Sequence, residues 1–224
     1  MNKMIGKTTK ATLLTALFLV AFQFYGRSTK KINPIDFDRL NGQDCTNSKD
    51  CHIGIHENKN NSDTVIFTSK YKSKNNKYYL LTEDCTNGFS NATLTLKTYG
   101  FDNDIEKNLA EGASIQEAFL FDLDKDGTEE FYIQTEAGAS GAEKMLLAFT
   151  ADPKNNMLTE IKFIDLKSED RGRRGYEYFS IKNERLYMSY PVYKKNDANC
   201  CPSGGDKNIE YKLYTTNGKE LRPQ

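Results

Sequence analysis

The chain has no surplus of either charge, since 31 basic residues are matched by 31 acidic ones. Nucleic acid and anionic bilayers reward a positive excess, so neither is expected as a partner. Histidine is scarce: His52 and His56 stand four apart in a polar stretch, with no nucleophile motif of Ser or Cys nearby. A hydrolytic site built on them does not assemble, and no two carboxylates stand out as an acid/base couple. None of the five cysteines forms a C-x-x-C, and the histidines lie near only one cysteine pair. That spacing fails a zinc site. There is no long internal repeat, and the longest apolar run falls short of the ~20 residues a comfortable membrane span needs. A non-catalytic protein is the expectation that remains.

The N-terminus is built like an export signal. Lys3, Lys7 and Lys10 precede an uncharged apolar run over residues 11–26, which Arg27, Lys30 and Lys31 close. A basic start, a short apolar stretch and a polar exit read as secretory. Phe24 spoils a small-x-small cleavage point ahead of Gly26. Residues 1–26 are therefore expected as a signal peptide or a membrane anchor, with the protein periplasmic or held at the cell envelope. An exported chain keeps disulfides. Cys45 and Cys51 are close enough for a small loop, and Cys85 is expected to reach Cys200 or Cys201.

Residues 27–62 are polar and irregular and read as a linker with a cysteine-closed loop. From residue 63 to 224 the pattern is one of strands. Residues 64–69 and 77–81 flank the turn-rich Ser73-Lys74-Asn75-Asn76, and 176–181 and 185–190 enclose Lys182-Asn183-Glu184, so each set predicts a hairpin. Between them fall strand-like stretches at 92–97, 115–121, 130–135, 145–150 and 158–163. Ile209, Tyr211 and Leu213 alternate with polar residues in a last one. Only residues 104–111 offer even a short helix. The predicted fold is all-β, an antiparallel barrel or sandwich preceded by the signal or anchor segment.

Three segments have chemical character. Asp122-Leu123-Asp124-Lys125-Asp126-Gly127 sets Asp122, Asp124 and Asp126 at alternate positions before a glycine, the oxygen-donor spacing of a calcium loop. The twelfth position is Ile133, which rejects an EF-hand, and Glu130 is the remaining candidate ligand. The competing reading is a β-turn rich in Asp and Gly. Arg171, Arg173 and Arg174 follow Glu169 and Asp170 and read as a solvated loop. Ala137-Gly138-Ala139-Ser140-Gly141-Ala142 joins two apolar strands with side chains too small to pack. It is either a plain connector or a loop that projects into a partner's cleft.

From about residue 94 to 213 the order of landmarks resembles the periplasmic inhibitors of invertebrate-type lysozyme. The segments that carry it are the Asp122–Glu130 turn, the small-residue loop, Leu146-Leu147-Ala148-Phe149 and Gly175-Tyr176. The most specific are Tyr190-Pro191-Val192-Tyr193, Asp197-Ala198-Asn199, Pro202-Ser203-Gly204-Gly205 and Ile209-Glu210-Tyr211-Lys212-Leu213. The resemblance implies an all-β inhibitor that inserts a Ser-Gly-Ser-Tyr-type loop into the substrate groove of a lysozyme or other peptidoglycan-cleaving enzyme. The matching positions here are Ser140, Gly141, Ala142 and Glu143, so the second serine and the aromatic are replaced. Losing an aromatic anchor costs about 2 kcal/mol or more, and lysozyme grooves carry carboxylates that repel Glu143. A second loop with Asp197, Asn199, Pro202, Gly204 and Gly205 is implied to flank the first; the alternative, from the Cys200-Cys201 that it carries here, is a loop tied down by a disulfide to Cys85. The other expected function is a calcium-dependent envelope binding or adhesion module on Asp122, Asp124 and Asp126. A homodimer is among the expected assemblies.

Overall fold

A computed structural model describes residues 43–44, 66–87, 91–137, 144–166, 172–215 and 218–224. The signal or anchor segment and nearly all of the predicted linker and cysteine loop lie outside that set. Thirteen strands and no helix occur among the described residues. A five-stranded sheet runs in the order β1 (Gln43–Asp44), β2 (Ile66–Lys72), β3 (Tyr78–Asp84), β4 (Thr93–Tyr99), β5 (Glu106–Glu111). The remaining strands are β6 (Ala113–Phe121), β7 (Glu130–Ala137), β8 (Lys144–Ala151), β9 (Leu158–Phe163), β10 (Tyr178–Lys182), β11 (Arg185–Pro191), β12 (Asp206–Tyr214) and β13 (Glu220–Pro223). They form a curled sheet in the order β10-β11-β12-β13-β9-β8-β7-β6. Pairing is antiparallel except for β1 with β2 and β13 with β9.

Both predicted hairpins form, and turn chemistry explains them. Asn183 and Glu184 both adopt positive φ between the paired Lys182 and Arg185, as a two-residue primed turn requires. Ser73 closes the other turn twice: its carbonyl accepts from Asn76 N at 3.0 Å, and its hydroxyl from Lys77 N at 3.0 Å. Within residues 104–111, the one stretch with helical reach, Glu106–Glu111 becomes β5 instead. Eight residues make a poor isolated helix, whereas pairing with β4 satisfies the backbone and lays Leu109 and Ala110 on the core.

The core is divided by β7, whose residues 131–135 are all buried. Phe131 and Ile133 face the five-stranded sheet, where Phe131 stacks 4.5 Å from Tyr79 and lies 4.9 Å from Tyr71. Tyr132 faces the other way, into the curled sheet, with Phe179, Leu186, Met188, Tyr211 and Leu221. Alternation along one strand thus feeds two cores. The curl brings the outer strands together: Gln134 Oε1 accepts from Phe179 N at 2.8 Å, and Tyr178 donates its hydroxyl to Glu117 at 3.0 Å.

Strand directions sort the connections to two ends of the curled sheet. The antiparallel order puts the ends of β7 and β11 beside the starts of β8, β10 and β12. At the opposite end lie the turn between β6 and β7, the β10–β11 hairpin turn and the start of β13.

Candidate functional site

The first end carries the loop between β11 and β12. Val192 N donates to Gly205 O and Gly204 N donates to Val192 O, both at 2.8 Å. A Cβ on Gly204 would sit 2.5 Å from the Val192 carbonyl, so only glycine permits that approach. Asp197 is the hub. One carboxylate oxygen accepts from Lys194 N at 2.6 Å and Ser203 N at 2.8 Å, and the other from the Ser203 hydroxyl at 2.8 Å. Those backbone hydrogen bonds hold its carboxyl below the usual range. Beneath the loop, buried Tyr193 donates to Asn199 O at 2.8 Å. The loop is exposed from Cys200 to Gly205, Pro202 included, yet its backbone is tied at Cys201, Ser203, Gly204 and Gly205.

Of the basic cluster read as a solvated loop, Arg174 is exposed and Arg173 is half-buried. Arg173 pairs with Asp165 at 2.7 Å and with buried Glu177. Arg174 lies over the Tyr193 ring at 4.9 Å and donates to Asp197 O at 3.1 Å and Asn199 Oδ1 at 3.3 Å. Glu177 is four positions from Arg173, but the other partners lie 8 to 25 positions away, beyond what the local charge pattern reveals; Arg171 lies outside the described residues.

The cysteines require a correction. Cys200 and Cys201 are bonded to each other. Cys85 is a free, buried thiol beside Phe67 and Ala92, with its Sγ 3.5 Å from Glu83 Oε1. The bridge from Cys85 to the second loop is therefore absent: adjacent cysteines satisfy one another, and Cys85 sits in the other sheet's satellite core. Burial pushes its thiol up to about 12. Cys45 and Cys51 lie outside the described residues.

So do Ser140, Gly141, Ala142 and Glu143. Their flanks are described: Glu136 pairs with Lys144 across β7 and β8, and the two side chains form an ion pair at 3.6 Å. Those flanks stand at the same end of the curled sheet as the loop of Asp197 and Asn199.

The acidic turn stands at the opposite end and joins β6 to β7. Asp122 accepts from Gly127 N at 3.0 Å, Asp126 from Thr128 N at 2.8 Å, and Glu130 from Leu123 N at 2.9 Å. Asp122, Asp124 and Glu130 each present an oxygen within 4.8 Å of the others, the geometry of a cation site. A cationic group of the chain is already there. Lys219 Nζ lies 3.0 Å from Asp124, 3.0 Å from Asp126 and 2.8 Å from Glu130, with its side chain 13% exposed. Burial opposes the charge on Lys219, but these carboxylates raise its pKa and keep it protonated. Burial raises Glu130 to about 7 against the bonds from Lys219 and Leu123. Ile133, the twelfth position, is wholly buried in β7. The turn is also tied to the five-stranded sheet, through Lys74 to Glu129 at 3.1 Å and Asn75 to Gly127 O at 2.9 Å. No protein-family model matches the chain, and no curated protein matches it.

Proposed function

We propose that this protein is a non-catalytic inhibitor of lysozyme or another peptidoglycan-cleaving enzyme, exported to the periplasm or held at the cell envelope, and that it acts through one end of the curled sheet. One observation carries the reading. The flanks of the 138–143 connection and the loop of Asp197, Asn199 and Gly204 belong to different hairpins, yet strand order sets them at the same end. A blocking surface requires that convergence, and a loop pre-tied by Asp197 and Gly204 loses little entropy on binding.

The test is inhibition of invertebrate-type, chicken-type and goose-type lysozymes by the purified chain. Restoring the aromatic and hydroxyl with Ala142→Ser plus Glu143→Tyr is expected to tighten inhibition of the invertebrate-type enzyme about thirtyfold. Tight inhibition by the unaltered chain that the double substitution leaves unchanged would remove the loop from the mechanism. Failure of the chain to bind any muramidase would remove the function.

A calcium-dependent binding module remains the second reading, on the clustering of Asp122, Asp124 and Glu130. Lys219 supplies the turn with a cation of its own, which favours the first.

A further inference from the structure

We propose that Arg174, Tyr176 and Tyr178 form a second contact patch for the partner enzyme, with Arg174 meeting a carboxylate in or beside its saccharide-binding groove. This deepens the inhibitor reading and rests on it. All three side chains are exposed, and they lie on the segment that enters β10 beside the loop of Asp197. Between and before them, Arg173 and Glu177 point inward and pair, which pins the segment from below.

Among the described residues the charge on Arg174 is held but not neutralised. Its two hydrogen bonds go to neutral oxygens, and it rests on the ring of Tyr193. Among the described residues no carboxylate pairs with it, whereas neighbouring Arg173 has two. A guanidinium fixed in direction, with Nε and Nη2 still able to donate, is suited to bidentate capture of a carboxylate. Muramidase grooves supply such carboxylates.

Tyr176 adds a separate observation. It adopts φ of +62° directly after Gly175 at +92°, a backbone region that a bulky side chain rarely enters. The residue is nevertheless 45% exposed, so the isolated chain recovers little packing for that strain. Strain of this kind collects where a side chain must be presented. Tyr178 is 46% exposed with its hydroxyl anchored on Glu117, so its ring is also fixed in place. Arg and Tyr are the residue types that most often dominate protein interfaces.

The experiment uses the full chain and a lysozyme it inhibits, and measures affinity at low and high salt together with thermal melts. Arg174→Gln is expected to weaken binding about thirtyfold and to flatten its salt dependence, with Arg174→Lys recovering only part. Tyr176→Gly is expected to raise the melting temperature, because glycine accepts the left-handed backbone, while affinity falls about tenfold. A merely structural tyrosine would not separate those two readouts. Unchanged affinity in all three variants, with the Ala142→Ser, Glu143→Tyr chain still altered, overturns the patch and leaves the inhibitor reading standing. No binding of any muramidase overturns both. Binding of soluble glycan strands that is lost in Tyr176→Gly, in place of enzyme binding, overturns the choice of partner and assigns the patch to saccharide.

Discussion

Glu83 is 3% exposed on β3, where its carboxylate has only Ile115 N at 3.4 Å and the Cys85 thiol at 3.5 Å. Among the described residues no cation pairs with it. Burial disfavours its charged form and raises its pKa above the ordinary 4.5, and the two weak donors oppose this in part. The sign follows from linkage: a carboxyl whose folded pKa is raised contributes stability that is fully present below its unfolded value and is lost as pH rises through its folded value. Glu83→Gln keeps the shape and removes the titration. The variant is expected to lose this component of the pH dependence and to be more stable than the parent at pH 8 by about 1 kcal/mol, as burial of an uncompensated charge implies. Denaturant unfolding from pH 4 to pH 8 measures it. A variant less stable than the parent at the alkaline end would mean that the carboxylate has a compensating partner.

At the scale of elements, the acidic turn and β13 act as one unit, joined through the three ion pairs of Lys219. Lys219→Met leaves Glu130, which is wholly buried, and Asp124 facing each other without a counter-charge. Breaking a pair of this kind costs about 3 kcal/mol or more. Calcium is expected to leave the melting temperature of the parent unchanged and to recover part of the loss in Lys219→Met, since it binds the folded state alone. A rise in the parent's melting temperature on adding calcium would restore the calcium-dependent reading. The same pair of elements shows what local pattern reveals. The Asp122-x-Asp124-x-Asp126-Gly127 spacing stands out in sequence, but Lys219 lies 93 positions beyond Asp126 and no period links them. β13, with Glu-Leu-Arg-Pro, is too short and too polar to be read as a strand, and it exists because β12 and β9 pair on either side of it. β5 was open to a helical reading because Glu, Lys, Leu and Ala favour helices, and only β4 decides otherwise. The strands carrying alternation or turn residues were legible. Arg174 was not, because its role is defined by Tyr193 and Asn199 across a loop.

For the whole molecule, the question is whether two sheets make one cooperative unit or two. The five-stranded sheet has its inner face chiefly against β6, β7 and β8, with Leu158 of β9 at the margin, while those same three strands close the curled sheet with their opposite faces. Adjacent residues of β7 therefore belong to different cores, and neither core survives without that strand. Ile133→Ala removes a side chain from the first core and Leu221→Ala one from the second, each at a cost of about 2–5 kcal/mol. If β7 couples the sheets, calorimetry of either variant shows one transition moved to lower temperature, because loss on one face is transmitted through the shared backbone. Two independent layers would instead give Ile133→Ala a separate early transition while the curled sheet melts at the parent's temperature. That second outcome would dissolve the coupling, and with it the rigidity on which the proposed blocking surface depends.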